Sequence, residues 1–255
     1  MTILFTLPKP RRRSPAAKPR PRTRPRSAAG RRPPRPGKRR PGKNFFHTPA
    51  GRRTLLALIL VVLVAAMAGV SWWRYNGKNK EPSQPDEVLG VPVHTDYLPE
   101  GIEGRPGIQR QVKWVVIHET GNPAAGSNAA AHNTYIHKKA QTDSLSWHYT
   151  VDESEIYHHL PDNEVAWHAG DKLTKNGGNL NGIGIEICIN EDGNYDQAVD
   201  NAAKLTAYLL HYYKLGTDHI KQHGDFISKN CPEIMRNAGA FPAFVQKVQG
   251  YLDQM

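Results

Sequence analysis

The sequence contains little cysteine and distributes its charge unevenly, and both features limit what it can be. Its 255 residues include only two cysteines, Cys188 and Cys231, too few for a disulfide framework. The first 53 residues contain no Asp or Glu, yet they hold 18 of the 34 Lys and Arg residues. The remainder therefore has 16 basic and 23 acidic residues, a net charge of −7. The formal charge of +11 thus belongs to a tail, and it says nothing about the partner of a folded domain.

This tail, residues 1–53, is poor in apolar residues and rich in Arg and Pro. Such a composition predicts a disordered segment, because it cannot bury a core. We expect a cytoplasmic tail that also binds anionic lipid head groups at the membrane. Its aromatic residues Phe5, Phe45 and Phe46 lie at the two ends, not between the basic residues, so nucleic acid is not an expected partner. A tether to nucleic acid through the tail is an alternative that deletion of residues 1–50 would test.

Residues 54–73 contain no charged side chain. At about 1.5 Å per residue, a helix of this length spans about 30 Å, the thickness of a bilayer core. Arg52 and Arg53 precede the segment, and Trp72 and Trp73 stand at its far end as interfacial anchors. Because the basic flank stays in the cytoplasm, we predict a single-pass transmembrane anchor with the rest of the chain outside.

A cleaved signal peptide is the main alternative to an uncleaved anchor. Ala66-Met67-Ala68 fits the small-x-small pattern of a cleavage site. However, the charged region before it is 53 residues long and the apolar stretch continues past Ala68, which favours the uncleaved anchor. Residues 74–90 are polar and contain Pro and Gly, so we predict a stalk there, followed by a folded domain over 91–255.

Apolar patterns in the folded domain predict both strands and helices. The run VVIH before Glu119 is typical of a central strand, and GIGIEICI alternates strictly, with isoleucines on one face and Glu186 and Cys188 on the other. Ser127 is expected to cap the first helix and Gly216 to end the long one. The predicted strands are 112–118, 146–151, 155–160, 182–189 and 219–223, and the predicted helices are 128–139, 196–215 and 242–252. This order indicates a single α/β domain with a central mixed β-sheet flanked by helices.

Three residues at strand ends or on adjoining loops could hold a metal: His118, His223 and Cys231. Two imidazoles and one thiolate suit zinc, and a set of three ligands leaves one position for water, as in catalytic sites. Spacing alone does not single these residues out, because the chain has 12 histidines. A disulfide between Cys188 and Cys231 is the structural alternative, since the domain would face an oxidising compartment.

Five blocks of sequence resemble the type 2 N-acetylmuramoyl-L-alanine amidases, a family that includes amidase-type phage endolysins and the peptidoglycan recognition proteins. They occur in the family's order across about residues 100–240. The blocks are WVVIHET (114–120), SWHYTVDE (146–153), AWHAGD (166–171), GIGIEICIN (182–190) and QHGDFISKNCPE (222–233).

The resemblance implies a role for each matching residue. His118, His223 and Cys231 would be the zinc ligands, Glu186 the catalytic carboxylate and Lys229 the catalytic lysine. In some relatives a tyrosine precedes the histidine of the second block. This chain has Trp147 there, which makes Glu186 the better candidate for proton transfer.

Two further histidines are expected near the substrate. His148 is predicted to point away from the apolar face of its strand and into the cleft. His168 lies in a loop that lines the substrate site in the family. We expect each of them to contact substrate or to support a residue that does. His158 and His159 are expected to be structural or exposed.

The function implied by the resemblance is zinc-dependent hydrolysis of the amide bond between N-acetylmuramic acid and L-alanine in peptidoglycan. The transmembrane segment places this activity at the cell membrane, with the catalytic domain extracytoplasmic. A non-catalytic peptidoglycan-binding receptor on the same fold is the alternative. Retention of all three candidate ligands favours the enzyme, because a pure binder needs no metal.

Overall fold

The computed structural model describes residues 48–78 and 85–255. Most of the predicted tail, residues 1–47, and residues 79–84 of the predicted stalk lie outside this range. Helix α1 spans Pro49–Lys78, with Thr48 accepting a hydrogen bond from the Gly51 N–H at 3.0 Å. Within the described residues it is the one helix that is long and apolar enough to cross a membrane, and none of its apolar window is buried.

The domain is built on one seven-stranded sheet. The strands are β1 (Glu87–Val88), β2 (Val91–Thr95), β3 (Trp114–Glu119), β4 (Tyr149–Val151), β5 (Ile156–His158), β6 (Gly182–Ile187) and β7 (Ile220–Gln222). Their order in the sheet is β1-β2-β5-β4-β6-β3-β7. The β1/β2 and β4/β5 pairs are antiparallel and the other pairs are parallel, so the sheet is mixed as predicted.

Five helices accompany the sheet: α2 (Ala129–Lys139), α3 (Gly178–Asn181), α4 (Tyr195–Tyr213), α5 (Glu233–Asn237) and α6 (Phe241–Leu252). Two predicted helix ends were wrong. Asn128, not Ser127, caps α2, because its side chain accepts a hydrogen bond from the Ala131 N–H at 3.0 Å. Lys214, not Gly216, ends α4 in the left-handed conformation, with φ 55°, and its N–H bonds back to the last turn.

The two faces of strand β6 have different neighbours. Ile183, Ile185 and Ile187 belong to the main core, together with apolar residues of α4 and α6. Gly184 and Glu186 lie on the opposite face, which confirms the predicted alternation. The α/β fold class is therefore confirmed, and the sheet separates an apolar core from the face that carries the polar residues discussed below.

The sheet begins earlier than expected. Strand β1 lies inside the segment predicted as a stalk, and it pairs with β2 through Val88 and Val91, both buried. Periodicity could not reveal this strand, because two residues are too short to show a repeat.

Candidate active site

Three parallel neighbours in the sheet, β6, β3 and β7, end at one edge. His118 is next to the last residue of β3 and stands in register with Glu186 of β6. His223 directly follows β7, in a short 3₁₀ turn. Because the carboxyl ends of parallel strands meet at the same edge, these three side chains converge although they are far apart in sequence.

His118, His223 and Cys231 form a compact, buried group of metal-ligating atoms, all within 4.8 Å of one another. The two Nδ1 atoms of the histidines are 3.0 Å apart, and Cys231 Sγ lies 3.9 Å from His118 Nδ1. Two nitrogens bound tetrahedrally to one zinc at about 2.0–2.1 Å would lie about 3.3 Å apart. The donor set and its spacing therefore fit a zinc ion.

The imidazoles of this group are neutral at physiological pH. Burial lowers the pKa of His118 well below its usual value, and the nearby His168 and His223 lower it further. Burial, aided by the charge of Lys229, lowers the pKa of His223 to about 4. Burial raises the pKa of the Cys231 thiol to about 11, with Glu186 adding to the effect and the backbone N–H of Glu119 acting against it. Neutral imidazoles present the free lone pairs that a metal requires.

His168 fixes which nitrogen of His118 is free. Its Nε2 lies 3.2 Å from the carbonyl oxygen of Gly182, which can only accept, so this Nε2 carries the hydrogen. His168 Nδ1 must then accept from His118 Nε2, 2.9 Å away. His118 Nδ1 is consequently the bare nitrogen, and it is the one that faces His223 and Cys231. Support of this kind is typical of metal-bound histidine.

The surroundings of His168 hold it in place. The side-chain oxygen of Asn179 accepts hydrogen bonds from the backbone N–H groups of His168 and Ala169, at 2.8 and 2.6 Å. Gly184 leaves room for the ring, because a Cβ there would lie 2.8 Å from Cγ of His168. Sequence reasoning did not assign roles to Asn179 or Gly184, although the glycines that interrupt the apolar β6 strand were a visible signal.

Glu186 stands beside the candidate metal group, with Oε1 3.8 Å from His118 Nδ1. Burial raises the pKa of its carboxyl to about 8, and the charge of Lys229 acts against this rise. Its second oxygen, Oε2, has no hydrogen-bond partner among the described residues. Glu186 and Lys229 line one cavity of about 370 Å³, which also borders Thr120 and Tyr135. The predicted catalytic pair therefore shares a cavity large enough for part of a ligand.

The structure corrects the expectation that His148 looks into the cleft. Its side chain is fully buried: Nδ1 accepts from the Gly184 N–H at 3.0 Å, and Nε2 lies 3.0 Å from the carbonyl oxygen of Glu164. His148 directly precedes β4, a strand whose three residues are all buried, so both faces of the sheet are covered at this point. The buried guanidinium of Arg110, which the sequence did not single out, also contacts His148.

His158, His159 and Cys188 take structural positions outside the ligand group. His158 and His159 are both buried, and His158 stacks on Tyr149 with ring centroids 4.1 Å apart. Cys188 and Cys231 are both free thiols. Cys188 Sγ lies 4.0 Å from His132 Nδ1, whereas Cys231 faces His118, so the alternative disulfide does not form.

The family match and the similar sequences all point to one group of proteins. Residues 108–234 match the protein family described as N-acetylmuramoyl-L-alanine amidase. The chain is 40% identical over 142 residues to the N-acetylmuramoyl-L-alanine amidase XlyA of Bacillus subtilis, covering 56% of this chain and 46% of XlyA. It is 38% identical over 142 residues to the amidase CwlH of the same organism, covering 56% of each chain. The chain thus spans about half the length of these relatives.

Comparison with solved structures extends the match to the three-dimensional fold. The catalytic domain of XlyA is 36% identical, with a TM-score of 0.58, and the alignment covers 62% of this chain and 99% of that domain. The aligned region therefore includes nearly all of a domain that is itself described as catalytic. This chain belongs to the type 2 N-acetylmuramoyl-L-alanine amidase family.

Proposed function

We propose that this chain hydrolyses the amide bond between the lactyl group of N-acetylmuramic acid and L-alanine in peptidoglycan, with zinc held by His118, His223 and Cys231. The observation that carries the proposal is the convergence of two imidazoles and one thiol at 4.8 Å or less, beside a buried carboxyl group. The relatives' names describe this amidase activity, and the chain spans nearly all of one relative's catalytic domain.

Three protein ligands leave one coordination position open, as in catalytic zinc sites. Zinc bound there would polarise the scissile carbonyl and lower the pKa of water to about 7. His168, held by its own hydrogen bond to Gly182, keeps the Nδ1 of His118 directed at His223 and Cys231, where zinc would be held. His148 accepts a hydrogen bond from the Gly184 N–H of β6 within the core, and we do not assign it a contact with substrate.

Glu186 is the proposed proton shuttle. Its carboxylate form accepts the proton of the attacking water, and the resulting carboxyl group then delivers that proton to the leaving nitrogen of L-alanine, so that the acid and the amine are released. A pKa raised to about 8 by burial is close to the operating pH, which suits a group that must both accept and donate. The unpartnered Oε2 is available for the water or the leaving group.

Lys229 is proposed to stabilise the negative charge that develops on the carbonyl oxygen. Lys229 is exposed and lines the same cavity as Glu186, and its charge affects the pKa of both His223 and Glu186. A fixed positive charge at an oxyanion lowers the barrier only if it lies where the charge forms. Lys229→Met is therefore expected to lower kcat more than it raises KM.

We also propose that helix α1 anchors the chain in the membrane and holds the amidase domain on the extracytoplasmic side. The helix spans the apolar run, and peptidoglycan lies outside the membrane. The basic residues that precede it favour a cytoplasmic N-terminus. They would also attract anionic lipids.

The test compares the two cysteines as a matched pair. The full chain, purified in detergent without a histidine tag, is assayed for zinc content, free thiols and release of stem peptides from peptidoglycan. Cys231→Ser is expected to lose both zinc and hydrolysis. Cys188→Ser, which alters an equally buried thiol outside the ligand group, is expected to keep both.

Two results would contradict the proposal. Hydrolysis that survives in Cys231→Ser would remove this residue from the site. An unsubstituted chain with no zinc and no free thiol would contain a disulfide and would favour the peptidoglycan-binding receptor.

A further inference from the structure

Glu119 is a buried acidic residue that the proposed reaction does not use. It is the last residue of β3, directly after the candidate ligand His118, and only 7% of its surface is exposed. Glu119 borders the cavity that Glu186 lines, but successive residues of a strand alternate in direction, and its carboxylate is directed at α4 and α5. A buried carboxylate requires hydrogen-bond donors to compensate for the loss of water. The segments that supply these donors are the ones that the carboxylate connects.

Three donors from two distant parts of the chain meet this carboxylate. The backbone N–H of Ile234 donates to Oε2 at 2.7 Å, and that of Met235 donates to Oε1 at 3.1 Å. The hydroxyl of Tyr195, the first residue of α4, donates to Oε1 at 2.5 Å. Ile234 and Met235 lie in the first turn of α5, where backbone N–H groups have no partner within the helix.

The first turn of α5 directly follows the candidate ligand Cys231. Only Pro232 and Glu233 separate the cysteine from the first N–H group that Glu119 binds. The side chain of Glu119 therefore fastens the strand that carries His118 to the segment that follows Cys231.

We propose that Glu119 is a positioning residue that sets Cys231 against His118 and His223, and so preforms the zinc site. The inference rests on the proposed function, because it assumes that these three residues bind zinc. Outer partners that orient metal ligands typically change metal affinity by about tenfold to a hundredfold when they are substituted. Glu119 lies outside the ligand group and borders the cavity that Glu186 lines, but its carboxylate is taken up by the three donors, so it acts through the position of the Cys231 sulfur.

The experiment measures zinc affinity in Glu119→Gln by competition with a chromogenic chelator, on the full chain in detergent without a histidine tag. A glutamine fills the same space but directs an amide N–H₂ at backbone donors, so it cannot accept all three hydrogen bonds. Zinc affinity is expected to fall by about tenfold to a hundredfold. With Co²⁺ in place of zinc, the sulfur-to-cobalt absorption band is expected to weaken or shift, because the thiolate position has changed.

A milder pair of variants separates this role from general stability. Tyr195→Phe removes one of the three hydrogen bonds to Glu119, and Tyr149→Phe removes a comparable buried phenol–carboxylate bond, to Asp162 at 2.8 Å. Both variants should lower the midpoint of thermal unfolding of the metal-free chain. Only Tyr195→Phe should also weaken zinc binding and alter the cobalt spectrum.

The outcomes distinguish this inference from the proposed function. If the unsubstituted chain binds zinc, and Tyr195→Phe and Glu119→Gln bind it with unchanged affinity and cobalt spectrum, Glu119 is not a positioning residue. If Glu119→Gln fails to fold, the Tyr195→Phe and Tyr149→Phe pair decides the question. If the unsubstituted chain binds no zinc, the zinc site itself is overturned, and this inference with it.

Discussion

At the scale of single residues, Glu186 has the most direct expected effect on turnover. Glu186→Gln keeps the shape of the side chain but removes the group that would accept the water's proton. We expect kcat to fall by about 10²–10⁴-fold, the usual contribution of a general acid–base, with zinc content unchanged. The assay is release of stem peptides with parallel metal analysis.

Glu191→Gln is the matched control for this prediction, because Glu191 is exposed four residues after β6 and should keep full activity. Near-normal activity in Glu186→Gln would remove this carboxyl from the proton-transfer role. Loss of zinc in that variant would instead make Glu186 a structural neighbour of the ligands.

The close approach of the His168 ring to Gly184 leads to a second prediction. In Gly184→Ala the new Cβ would lie 2.8 Å from Cγ of His168, so the ring that orients His118 must move. We expect a loss of about 1–3 kcal/mol in unfolding free energy from overpacking, together with weaker zinc binding. Urea unfolding and chelator competition measure the two effects.

Gly250→Ala is the control for this substitution. A Cβ at position 250 meets nothing within 4 Å, and the residue lies in α6, where alanine is favoured over glycine by about 0.5–1 kcal/mol. This variant should be as stable as the parent or more stable, with unchanged zinc affinity. If Gly184→Ala and Gly250→Ala have the same unfolding free energy and the same zinc affinity, the close packing of His168 against Gly184 is contradicted.

The sequence predicted the site residues unevenly. His118 and His223 stood at strand ends and in family blocks, so their convergence could be expected. The burial of His148 could not, because it depends on contacts with Gly184 and Glu164, which are 36 and 16 residues away. The contacts of Glu119 depend on donors 76, 115 and 116 residues away, and no local pattern records such distances.

At the scale of elements, Asp200 ties α4 to α6. Its carboxylate accepts from Lys247 Nζ at 2.8 Å and from the Tyr251 hydroxyl at 2.9 Å, and Lys204 lies 3.2 Å away. Burial raises the pKa of Asp200, but hydrogen bonds from Lys247, Tyr251 and Lys204 outweigh burial and leave the pKa below its usual value. The ionised carboxylate therefore stabilises the packing of the two helices.

This contact predicts a specific loss of stability in acid. A carboxyl with a lowered folded-state pKa stabilises the fold above its unfolded pKa of about 3.9, and the stabilisation disappears as the pH falls through the folded-state value. Between pH 6 and pH 3, the unfolding free energy of the metal-free parent should therefore fall more than that of Asp200→Asn. Urea unfolding at each pH measures these free energies. If the parent and Asp200→Asn lose the same unfolding free energy between pH 6 and pH 3, the ionised Asp200 carboxylate does not stabilise the fold.

Elements with a clear period were predictable, and their ends were not. The alternating β6 strand and the amphipathic α4 helix appear where the pattern placed them, because each buries one face against the core. The ends depend on single side chains. Asn128 supplies the cap that Ser127 was expected to give, and Lys214 adopts the left-handed conformation before the chain reaches Gly216.

At the scale of the whole molecule, helix α1 is expected to be an uncleaved membrane anchor. With different tags at the two termini, one full-length species should carry both tags and remain in the membrane after alkaline extraction. Protease added outside the membrane should remove the C-terminal tag and spare the N-terminal one. A shorter, soluble species with only the C-terminal tag would indicate cleavage near Ala68 and contradict the anchor.

The central claim is that the zinc site cuts the bond between N-acetylmuramic acid and L-alanine, and the products of digestion test it most directly. Purified peptidoglycan is digested with the full chain, and the products are identified by mass spectrometry, with and without a chelator and after zinc is restored. We predict free stem peptides that begin with an L-alanine amine, together with glycan strands bearing free lactyl carboxylates, lost on chelation and regained with zinc. New reducing sugar ends, cuts within the stem peptide, or binding without release would contradict the account.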